Sequence, residues 1–161
     1  NMGHFSVRHE LSHRSPSLYE GFTQMYQIYL LSVVSNLLAG IALSFQGMDE
    51  KLQLSSVFNR DLMENTGFRL GLGVATFVIG FLKFLAVSPD DVPVVGDLIP
   101  ALAGLIMGLI LLLQYYRSRS TVSSPALDKV EKVFGKNSGV FGTAGIIIAV
   151  LHFLLPRILF L

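Results

Sequence analysis

The chain has no cysteine and no tryptophan. Without thiols it forms no disulfide, cysteine-ligated zinc site, iron–sulfur cluster or thiolate nucleophile. Charge is scarce too. Only 14% of the 161 residues are Asp, Glu, Lys or Arg, against about a quarter in an ordinary soluble domain. So few charges cannot coat a water-soluble domain of this size. A net charge of +1 leaves no basic face dense enough for nucleic acid. The sequence also lacks a phosphate-cradling glycine loop, a serine nucleophile elbow and paired catalytic carboxylates. What it has is apolar residues in long runs: 52% of the chain is hydrophobic, and the mean hydropathy is +0.59.

A helix needs about 20 mostly apolar residues to cross a hydrocarbon core, because its backbone polar groups must be satisfied within the segment. Four stretches reach that length: 25–45, 68–87, 92–115 and 140–161. No small-residue cleavage site follows the first, so it is expected to remain as a span. The expected fold is an all-α integral membrane protein, a four-transmembrane-helix bundle forming one membrane domain over 1–161 with an N-terminal tail at 1–15. Ser15 and Pro16 suit the cap and first turn of a helix leading into span one. Tyr19, Tyr26 and Tyr29 fall at interface depth there, and Tyr115 and Tyr116 do so at the end of span three.

Lys and Arg set the orientation. Lys51, Arg60, Arg69, Arg117, Arg119, Lys129, Lys132 and Lys136 belong to the loops after spans one and three; Arg8, Arg14, Lys83 and Arg157 fall on the other side. The excess places loops 46–66 and 117–138 in the cytoplasm and both termini outside, in a multi-pass protein of the inner or plasma membrane.

The chain also carries the marks of a duplication. At a shift of 72, Asn65-Thr66-Gly67 falls on Asn137-Ser138-Gly139 and Gly73 on Gly145; at 64, Leu38-Ala39-Gly40 falls on Leu102-Ala103-Gly104. Repeat 1 would cover about 16–88 and repeat 2 about 92–161, as parallel helical hairpins. Each cytoplasmic loop is expected to hold a short amphipathic helix. The clearer one starts at Ser124 and Pro125 and stops at Gly135, with Leu127, Val130, Val133 and Phe134 on one face.

Membrane helices associate through close packing at small residues. Gly40, Gly73, Gly80, Gly104, Gly108 and Gly145 are the expected packing positions, with Gly67 and Gly71 as a further pair. Their faces serve either the bundle itself or a homodimer.

Ionisable groups inside a bilayer are costly and mark functional sites. Lys83, Asp97, His152 and Arg157 all fall in the outer leaflet, with Asn36 deep in span one. Together they are the candidate ligand-binding set; with cations in excess, the ligand is a small polar or anionic species. The leading reading is a transporter or permease-like subunit acting as a homo-oligomer. The alternative is a non-catalytic membrane-complex or scaffold subunit with a cytoplasmic protein partner. A third starts from His9-Glu10-Leu11-Ser12-His13, which spells the zincin HExxH, two imidazoles for zinc and a carboxylate base. Arg14 and Pro16 interrupt the helix this chemistry needs, so enzymatic zinc at His9 and His13 is not expected, and neither is any other cofactor.

Overall fold

In the computed structural model, the described residues are 16–85, 98–121 and 124–155; side chains are described from residue 27 on, Gln46 and Leu52 excepted. These residues are helical almost throughout. Helix α1 runs Pro16–Leu52 and is followed by a 3-10 turn, Leu54–Ser56. Then come α2 (Arg60–Glu64), α3 (Thr66–Leu85), α4 (Leu98–Arg119), α5 (Pro125–Val130), a π-helical turn (Glu131–Gly135) and α6 (Ser138–Leu154). Three helical segments are long and apolar enough to cross a membrane: Gln27–Phe45, Thr66–Leu85 and Leu98–Arg119. A fourth qualifies only when Pro125–Gly135 is joined to Ser138–Leu154, across a bend of 52°.

Helix α1 is longer than its apolar stretch. It continues past Phe45 for two polar turns and stops at Gln53, whose φ of 50° is left-handed. That conformation ends a helix, and a residue bearing a Cβ adopts it at a cost. The Asp49 carboxylate then accepts from the Ser55 backbone N–H at 2.6 Å, which holds its pKa below the ordinary carboxylate range. Ser124 caps α5 as its sequence position predicts, its hydroxyl accepting from the Leu127 N–H at 3.2 Å.

The four long helices alternate in direction. One end of the bundle, the loop end, carries residues 46–65, 120–121 and 124–137. The opposite end carries Tyr29, Lys83 and His152. Helix α3 packs most extensively on α4, and α1 on α6. The core is built from Ala39, Leu43, Phe45, Met63, Met107, Ile110 and Leu111. Outside it, apolar side chains such as Val74, Val78, Phe81, Leu109, Ile147 and Phe153 stand exposed around the waist, the reverse of what water as solvent selects.

Glycine decides how close the helices come. A Cβ on Gly80 would lie 2.9 Å from the Ala101 carbonyl oxygen, and one on Gly108 would lie 2.7 Å from the Phe77 nitrogen. Gly73 and Gly104 are closed in the same interface, Gly40 lies against Gly142, and Gly145 lies against Met107. All six glycines expected to pack do so within one chain. Gly71 does not: a Cβ there meets nothing within 4 Å, so the Gly67–Gly71 pair is no packing motif inside the bundle.

Candidate functional site

Helix α3 buries Gly73, Thr76, Ile79, Gly80 and Lys83, residues three or four apart and hence on one face. That spacing turns Lys83 inward at the far end of the helix. Its side chain is 4% exposed, where a lysine reaching for headgroups would point out. His152, in the last turn of α6, is 1% exposed and meets it: Lys83 Nζ lies 2.5 Å from His152 Nε2. The hydrogen bond needs one nitrogen to carry the shared proton and the other to offer its lone pair.

Tyr29 of α1 completes the group. Its hydroxyl donates to the His152 carbonyl oxygen at 2.6 Å, and its ring lies 4.7 Å from the imidazole. Lys83 Nζ stands 5.3 Å from the centre of the same ring, within cation–π range. Three helices thus converge on one buried Lys–His pair.

From Tyr29 a polar stripe runs inward along α1 through Ser32 and Asn36, at helical spacing. The Ser32 hydroxyl is buried without a hydrogen-bond partner, a rare state for a polar group. Asn36 donates through Nδ2 to the Pro100 carbonyl oxygen at 2.9 Å and also backs onto Gly104, where a Cβ would lie 2.8 Å from its Oδ1. Asn36 therefore joins α1 to α4, two turns from the Lys83–His152 pair.

Of the expected ligand set, the structure brings Lys83 and His152 into direct contact. Asp97 and Arg157 lie outside the described residues, as do His9, His13 and the rest of the tail. No group of three or more metal-ligating side chains occurs among the described residues. Tyr29, expected at interface depth, joins Lys83 and His152. Its spacing of three and seven from Ser32 and Asn36 was the available signal.

The loop end holds a second polar centre. Arg117, near the end of α4, binds Asp128 through Nη2 at 2.5 Å and also binds Glu131. Phe134 meets Phe141 with ring centres 5.3 Å apart. These contacts fasten the Pro125–Gly135 segment beneath the bundle. Arg69 donates through Nη2 to the Ala42 carbonyl oxygen at 2.7 Å, bridging α3 to α1.

No curated protein and no solved structure matches this chain significantly. A model of a family of unknown function matches residues 25–152. The match runs from the start of the first apolar stretch to His152 and includes both partners of the buried pair. The chain belongs to that family.

Proposed function

We propose that this is an integral membrane protein of four spans, a transporter or permease-like subunit that binds a small polar or anionic ligand at Tyr29, Lys83 and His152. The observation carrying the reading is the Lys83–His152 pair, a basic side chain and an imidazole buried together where charge is expensive. The partnerless Ser32 hydroxyl, one turn inward from Tyr29, supports a polar path leading from the pair toward the middle of the bundle. The exposed apolar waist supports lipid as solvent. The distribution of Lys and Arg supports cytoplasmic loops at 46–66 and 117–138.

The pairing of α1 with α6 and of α3 with α4 supports two hairpins related by an axis along the bundle. In those pairings the Gly142 carbonyl oxygen lies against Gly40 and the Thr76 carbonyl oxygen against Gly104. In that comparison residue 142 corresponds to 76, a shift of 66, so the letter matches at 72 do not align the same contacts.

Thermal unfolding in detergent with chloride, phosphate or acetate tests the binding site. At one hundred times its Kd, a bound anion adds about 2.7 kcal/mol, about 5 °C or more for a chain of this size. Lys83→Met is expected to abolish that gain while the protein stays folded. Equal melting in every anion would instead favour the membrane-complex subunit.

A further inference from the structure

We infer that the segment 125–136 is a lipid-headgroup clamp: its inner face is bolted to the bundle, and its outer face binds an anionic membrane surface. The inference rests on the membrane reading above. The segment contains two acids and three lysines near one another, which on sequence alone nearly cancel. The structure separates them. Asp128 and Glu131 are engaged by Arg117, and Leu127, Glu131, Phe134 and Gly135 are the less exposed positions, while Asp128 stays exposed. The π-helical turn over Glu131–Gly135, closed by the Lys136 N–H on the Glu131 carbonyl oxygen at 3.1 Å, adds a residue to that turn and shifts the faces accordingly.

Lys129, Lys132 and Lys136 remain exposed, together with Val130 at 38% and Val133 at 52% exposure. Three cations with valines between them, with Arg117 offsetting one of the two nearby acid charges, match an anionic headgroup layer over acyl chains. A water-facing helix needs no exposed valines among its lysines, and a helix buried under the bundle needs no outward cations.

The absence of cysteine makes a direct test simple. Val133→Cys carrying a nitrobenzoxadiazole label is reconstituted into vesicles of phosphatidylcholine alone or mixed with phosphatidylglycerol, with brominated lipid as quencher. Val78→Cys, on the exposed side of α3, is the control within a span. The label at 78 is expected to be quenched in both lipids. The label at 133 should be quenched and blue-shifted only with phosphatidylglycerol. Replacing Lys129, Lys132 and Lys136 by Gln should lower that insertion equilibrium about fivefold per lysine, which is about 1 kcal/mol per cation at an anionic surface. Identical behaviour of the 133 label in the two lipids, with the 78 label quenched, overturns the clamp and leaves the membrane reading standing. An unquenched label at 78 overturns both.

Discussion

Lys83 and His152, 69 positions apart in sequence, place their side-chain nitrogens 2.5 Å from each other inside the bundle. The contact joins the end of α3 to the end of α6 and is roofed by Tyr29 of α1. If the pair acts as a unit, a double-mutant cycle on Lys83→Met and His152→Phe should show coupling of about 1–3 kcal/mol in unfolding measured in mixed micelles. Additive losses would mean the two groups are neighbours without being partners.

Gly80 and Gly104 lie in the close packing of α3 on α4, and Gly104 also meets the Asn36 amide of α1. Gly80→Ala or Gly104→Ala should cost about 1–3 kcal/mol, because the added methyl meets backbone or the Asn36 amide and neither can yield freely. Gly71→Ala, directed at open space, should be neutral or stabilising by about 0.5–1 kcal/mol through helix propensity. The same mixed-micelle titration distinguishes them.

Asn36→Val keeps the volume near that of the native side chain and removes the bond to Pro100. The expected loss is about 0.6 kcal/mol, with about 1.7 as the upper end for such bonds between membrane helices. The unfolding midpoint reads it.

Arg117→Gln removes both charged contacts to the 125–135 segment. Amide hydrogen exchange over that segment should accelerate at least severalfold, while α3 is unchanged, because its own packing does not involve Arg117.

Asp49 supplies the acid-side prediction. Its folded pKa is lowered by the Ser55 N–H bond, so the stabilisation is present above the unfolded pKa and is lost as pH falls through the folded one. Below about pH 4 the tie between the end of α1 and the 3-10 turn should weaken. An Asp49→Asn variant should lack that component of the acid response, as read by unfolding midpoint against pH.

Much of this architecture is legible in the residues. The Ser124–Pro125 start and Gly135 stop of the amphipathic segment lie where the sequence rules put them, because caps are local chemistry. The packing glycines are also legible, since close helix approach leaves few other choices. What a glycine faces is not: Gly71 has the same spacing as true packing positions and points into open space. Burial of Lys83 was similarly out of reach, because a lysine near a helix end snorkels unless another helix offers a partner, and His152 arrives from 69 residues away. The left-handed stop at Gln53 has no glycine to announce it. The π turn carries Glu131 and Phe134, whose partners Arg117 and Phe141 come from other helices.

The proposed topology has four segments crossing the bilayer, with both basic loops on one side. Single cysteines at Ser55, Ser88 and Lys132, probed with a membrane-impermeant maleimide in intact cells and after permeabilisation, test it most directly. Ser88→Cys is expected to react in intact cells, and Ser55→Cys and Lys132→Cys only once the membrane is opened. Labelling of positions 55 and 132 from opposite sides would contradict it.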